Sequence, residues 1–103
     1  MMALACGLTG ITIPTRAADS FSFTTIDAPG ATRTWASGIN DAGQIVGSFN
    51  NHGYLRTSWG AFTTFDVPGA TDTGAEGINN AGQIVGTFVA GDKNHGYVAT
   101  PTR

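Results

Sequence analysis

The segment Phe23 to Phe49, FTTIDAPGATRTWASGINDAGQIVGSF, returns as Phe62 to Phe88, FTTFDVPGATDTGAEGINNAGQIVGTF, an offset of 39 from position 23 to position 62. A second match, Asn51-His52-Gly53-Tyr54 against Asn94-His95-Gly96-Tyr97, is offset by 43, so the later copy carries four extra residues. Insertions are tolerated in loops, which predicts a longer loop around Val89 to Lys93. Self-similarity at about 40 residues signals a stacked or radial architecture, each copy being one supersecondary unit that cannot bury its apolar face alone.

The period also fixes what a repeat is made of. Between turn signals lie short runs rich in Phe, Ile, Val, Thr, Tyr and Trp, the residue types that suit a pleated surface. They predict strands over Phe21 to Ile26, Thr34 to Ile39, Gln44 to Phe49 and Gly53 to Trp59, then Ala61 to Phe65, Thr73 to Ile78, Gln83 to Phe88 and Gly96 to Thr100. No segment sustains a 3.6-residue apolar period, and the 15 glycines, about twice the average share, would interrupt helices. Asn40-Asp41-Ala42-Gly43 and Asn79-Asn80-Ala81-Gly82 read as hairpin tips, with Gly43 and Gly82 taking positive φ. Pro29-Gly30 and Pro68-Gly69 suit the turns that link one strand ladder to the next.

The expected fold is all-β: two tandem four-stranded antiparallel sheets resembling β-propeller blades. A β-solenoid or a single two-layer sandwich is the competing architecture. Repeat 1 spans about 21–60 and repeat 2 about 61–103, within one domain over 19–103. The strand order begins with a lone leading strand and stops where another FTT strand would start, which predicts that Phe21 to Ile26 completes the last sheet, in cis or in a neighbouring copy. Self-association through strand completion is the partner expectation that follows.

Residues 1–18 lie outside the repeat. Met1 to Ile13 is apolar and uncharged, of signal-peptide length and too short to span a bilayer, and Ala17 or Ala18 supplies a small residue for cleavage. The basic stretch that usually precedes such a segment is missing. This reading makes the chain exported, extracellular or periplasmic, with no membrane span in its mature form. Cys6 is the single cysteine, so no internal disulfide framework exists. Charged residues make up 12%, against about 25% in typical domains, and the net charge is −2. With Arg16, Arg33, Arg56, Lys93 and Arg103 scattered, no basic stripe addresses nucleic acid.

The string Gly-Ile-Asn-(Asp/Asn)-Ala-Gly-Gln-Ile-Val-Gly, followed by His-Gly-Tyr and flanked by Phe-Thr-Thr-(Ile/Phe)-Asp-x-Pro-Gly-Ala, resembles the HAF repeat, a family of extracellular repeats found mainly in bacteria. The likeness covers about Phe21 to Thr100, with Tyr54 and Tyr97 where Phe is frequent in the family. It implies an exported, propeller-like protein and brings no catalytic residue. Family members usually carry more than two copies, so a piece of a longer propeller is one alternative.

Each candidate for chemistry has a plainer structural reading. His52 and His95 could hold a metal only if adjacent sheets brought them together, and they lack neighbouring ligands at metal-site spacing. They are expected to bond a turn. Asp27 and Asp66 could serve as a carboxylate pair for glycoside hydrolysis, but two equivalent acids have no reason to separate their pKa values. Caps of the Asp-x-Pro-Gly turns are the expectation. Asn40-Asp41 and Asn79-Asn80 offer too little charge for calcium. Trp35, Tyr54 and Tyr97 are the candidates for a ligand-contacting aromatic surface, facing an extracellular glycan or protein. The expected function is structural or binding, with no catalysis, no cofactor and no metal. An extracellular hydrolase acting on glycan is the alternative of a different class.

Overall fold

The computed structural model describes residues 20–102; the expected leader, the cleavage expected after Ala17 or Ala18, and Cys6 lie outside them. The described chain is all-β, with seven strands: β1 (Thr34–Ile39), β2 (Ile45–Phe49), β3 (His52–Arg56), β4 (Phe62–Phe65), β5 (Asp72–Ile78), β6 (Ile84–Ala90) and β7 (Lys93–Ala99). They form two antiparallel meanders, sheet 1 in the order β1-β2-β3-β4 and sheet 2 in the order β5-β6-β7.

Each repeat builds its sheet with the same devices. The Asn40 side chain closes the β1–β2 tip by accepting the Ala42 and Gln44 N–H groups at 3.1 and 3.0 Å, and Asn79 does the same for Ala81 and Gln83 at 3.0 and 2.9 Å. Gly43 and Gly82 follow with φ of 79° and 85°, the left-handed region that glycine enters without penalty. In the linking turns, Ala31 N–H donates to the Ala28 carbonyl and Ala70 N–H to the Val67 carbonyl, across Pro29-Gly30 and Pro68-Gly69. Both ladders also shift register once, between Ala36 and Gly38 and between Ala75 and Gly77, the signature of a β-bulge.

The period-2 rule of strands assigns the two faces of sheet 1. Ile45 and Phe49 of β2 join Tyr54 and Phe62 in one apolar cluster, which Ile26, Ala28 and Ala31 cover. Val46, between them, points the other way and meets Ala75 and Ile84 of sheet 2, with Leu55 and Phe65 around it. Sheet 1 is thus packed on both faces, by the leading segment on one side and by sheet 2 on the other. The stack is close because Gly38 faces Gly77: a Cβ on Gly38 would stand 3.0 Å from the Gly77 Cα.

Polar contacts hold the two sheets in register. Ala75 N–H donates to Ser48 Oγ at 3.3 Å and Thr73 N–H to the Asn51 carbonyl at 3.0 Å. At the hairpin tips, Asn40 Nδ2 donates to the Asn79 carbonyl at 3.0 Å, and the Asp41 N–H to Asn80 Oδ1 at 2.8 Å. The difference between the copies at this position is used: Asn80 Nδ2 donates to Asp41 Oδ2 at 2.9 Å, a bond that two aspartates could not make.

Sheet 2 departs from the expected four strands. The fourth strand of sheet 1, β4, comes from the FTT segment of repeat 2, whereas the other FTT segment, at the start of repeat 1, lies on the far face of sheet 1, held there by Ile26 and Ala28. Phe21 to Ile26 therefore does not complete the last sheet within the chain, and only Ser22 takes part in an isolated bridge. Strand ends also move. β3 stops at Arg56 and Trp59 sits in the following turn, and the four-residue insertion does not lengthen a loop. It extends the β6–β7 ladder to the Ala90–Lys93 pair, with a two-residue turn at Gly91-Asp92.

Candidate functional site

The aromatic candidates do not form one surface. Tyr54 is fully buried, its hydroxyl reaching over Gly47 to donate to the Trp35 carbonyl at 3.0 Å. Tyr97 repeats the contact over Gly86, donating to the Gly74 carbonyl at 2.9 Å. The His-Gly-Tyr and Ile-Val-Gly motifs are therefore two halves of one lock, which clamps the third strand of each meander to the first. Tyr54 is thereby removed from any ligand-contacting role, because burial leaves it no free face. Trp35 is 53% exposed on β1, and Trp59 projects from the β3–β4 turn at 80% exposure.

Burial pushes the Tyr97 hydroxyl up to about 12, with the Glu76 carboxylate adding to the shift. The Tyr54 hydroxyl is also raised by burial, partly offset by the Arg56 guanidinium. A group whose acidity falls on folding stabilises the fold below its unfolded value, here 10.0, and loses that contribution as pH rises through the folded value. The sequence holds two tyrosines, so their ultraviolet titration is readable directly. Both should titrate above the ordinary value of 10.0, Tyr97 near pH 12, together with loss of the β-sheet dichroism. Half-ionisation at pH 10 in a folded protein would contradict the buried clamp.

His52 and Asp66 form the one histidine–carboxylate pair among the described residues. His52 Nδ1 lies 2.8 Å from Asp66 Oδ1 and 3.0 Å from Oδ2, the imidazole N–H donating to the carboxylate. The pairing follows from register: Gly53 is opposite Phe65, so the residues just outside that pair, His52 and Asp66, flank the end of the β3–β4 ladder. The His52 ring also leans on Phe49, with centroids 5.5 Å apart. Asp66 thus binds a side chain across the ladder, while the N–H after it, on Val67, is taken by Thr73 Oγ1 at 3.1 Å. Asp27 and Asp66 are not brought together as a carboxylate pair. Nor do His52 and His95 share a ligand set: His95 stacks on Phe88 at 4.9 Å, and no group of three metal-ligating side chains occurs among the described residues.

An open, largely apolar cleft of about 290 Å³ runs between the sheets, with Leu55, Thr63 and Phe65 on one wall and Ile84, Ala99 and Pro101 on the other. The outer face of sheet 2 is apolar as well: Val85 and Val98 are 47% and 63% exposed. Sequence reasoning missed both this face and the His52–Asp66 pair. The pair had a legible signal, since both residues recur with their motifs and the predicted hairpin sets them opposite each other. Exposure of the valines had none, because their counterparts Val46 and Leu55 are the same kind of residue in a covered sheet. No family model, no curated protein and no solved structure matches the chain. Among the described residues no helix is long and apolar enough to cross a membrane.

Proposed function

We propose that this chain is an exported bacterial repeat scaffold of the HAF type, whose sheets are propeller-blade-like and which acts by binding at or outside the cell surface, without catalysis. One observation carries the reading. The motif residues common to the two repeats are engaged in holding the scaffold: Asn40 and Asn79 close hairpins, Tyr54 and Tyr97 clamp strands, and Thr34 and Thr73 accept the N–H groups of Ala28 and Val67. A site that served catalysis would require groups held in distinct environments. Asp66 has His52 as its recorded partner, half exposed and with no second carboxylate against it. Residues free for an extracellular glycan or protein ligand are those in which the copies differ, above all Trp35, whose counterpart is Gly74.

Export is the testable core of the proposal. Expressed in a bacterial host with a C-terminal tag, the chain should be recovered from periplasm or medium, with an intact mass showing removal of the residues up to Ala17 or Ala18. Recovery of the uncleaved chain from the cytoplasm alone would overturn it.

A further inference from the structure

β7 forms the outer edge of sheet 2, with no strand bonded to its free side among the described residues. In sheet 1 the corresponding side of β3, the counterpart of β7, carries β4. The outer face of sheet 2 is equally uncovered. Val46 and Leu55, the counterparts of Val85 and Val98, pack against Ala75 and Ile84 of the next sheet.

The matching parts stand unpaired at the other end of the molecule. Phe23–Ile26 reads FTTI where β4 reads FTTF, and it is handed to β1 as β4 is handed to β5, with Ala28 N–H on Thr34 Oγ1 and Val67 N–H on Thr73 Oγ1, both at 3.1 Å. Phe23 is 50% exposed. Asp27 follows this segment as Asp66 follows β4, is exposed, and is bonded to nothing among the described residues. His95, the counterpart of His52, has the Phe88 ring and no carboxylate. Ile39 is 64% exposed, whereas its counterpart Ile78 packs between the sheets.

We propose that copies of this chain join head to tail. Phe23–Ile26 of one copy adds antiparallel to β7 of a second copy, as β4 adds to β3. Asp27 meets His95 across the new ladder as Asp66 meets His52. The arriving sheet 1 lays Ala36, Ile39 and Ile45 over Val85 and Val98, repeating between copies the packing already present between the sheets. A copy does not serve itself, because its leading segment lies across sheet 1 from its own β7. Such a contact is heterologous and closes only as a ring. Closed propellers hold about four to eight sheets, which corresponds to two to four copies.

Light scattering of the full chain across a concentration series, with four variants, tests this. Asp27→Lys removes the carboxylate that would accept the His95 N–H and leaves two donors facing each other, and His95→Glu sets an anion against Asp27; each should raise the dissociation constant at least about tenfold, through an unmade hydrogen bond in the first and opposed like charges in the second. The Asp27→Lys/His95→Glu double variant should restore assembly, and Val98→Glu should leave monomers. All three positions are exposed, so the circular dichroism of each variant should match the parent. The expected parent is an oligomer of two to four copies with that pattern of loss and rescue. A parent that stays monomeric at every concentration, or an oligomer whose mass ignores these substitutions, would overturn the proposal.

Discussion

Gly47→Ala should cost about 2–4 kcal/mol, a large share of the stability of so small a domain. The added Cβ would overlap the Trp35 carbonyl and stand 2.9 Å from the Tyr54 hydroxyl. The strain of forcing a methyl into a packed site is typically about 1–3 kcal/mol, and the displaced tyrosine bond adds about 1 kcal/mol. Neither neighbour can step aside cheaply, since one is backbone and the other is the fully buried ring of Tyr54. A small domain has only about 5–15 kcal/mol of stability to lose. Gly86→Ala meets the same obstacles, the Gly74 carbonyl and the Tyr97 hydroxyl, and should behave alike. Gly77→Ala is the control: its Cβ would find Val85 Cγ2 at 3.5 Å, an ordinary contact, so its effect should stay within about 1 kcal/mol. Urea midpoints for the three variants give the comparison. A Gly47→Ala protein as stable as Gly77→Ala would show that the tyrosine does not lie where the clamp requires.

Tyr54→Ala should destabilise by about 3–5 kcal/mol, the range for truncating a large aromatic in a core. Its ring lies between Phe49 and Phe62, with centroids 6.3 and 5.4 Å away, so the truncation opens the middle of the cluster that Ile26 and Ala28 cover. Tyr97 occupies the same place in a less covered sheet, and Tyr97→Ala should cost visibly less. Trp59→Ala should change almost nothing, because the ring is 80% exposed. If the two tyrosine variants lost equal stability in thermal or urea melts, the two sheets would have to be equally covered in solution. That outcome in the monomer would contradict the three-stranded sheet 2.

Much of this fold was legible in the chain. Asn40 and Asn79 announced hairpin tips because an asparagine side chain can mimic a turn's own acceptor, and Gly43 and Gly82 because few other residues take positive φ without strain. β1 was placed to the residue, Thr34–Ile39. The insertion near Val89 was misjudged because length alone does not separate a longer loop from a longer ladder; Val89, Ala90 and Lys93 pair as readily as they would turn. The cis branch of the expectation for Phe21 to Ile26 fails for a different reason. A repeat sequence identifies what kind of edge a strand fits, and does not say on which side of the stack that strand is held. The site was less legible than the fold. Core packing is the plainer reading of Tyr54 and Tyr97 and an exposed aromatic surface the other, and the deciding fact, a glycine beneath each hydroxyl, depends on a cross-strand register that no local pattern displays.

The two-sheet stack itself is tested most directly by nuclear Overhauser contacts between positions 39 residues apart in the chain. Gly38 and Gly77 face each other at the closest approach of the sheets, and the Asn40 side-chain amide donates to the Asn79 carbonyl. Cross-peaks between the Gly38 and Gly77 α-protons, and from the Asn40 amide to the Asn79–Asn80 backbone, are the predicted result. Folded, well-dispersed spectra in which each sheet shows only its own internal contacts would contradict the stack.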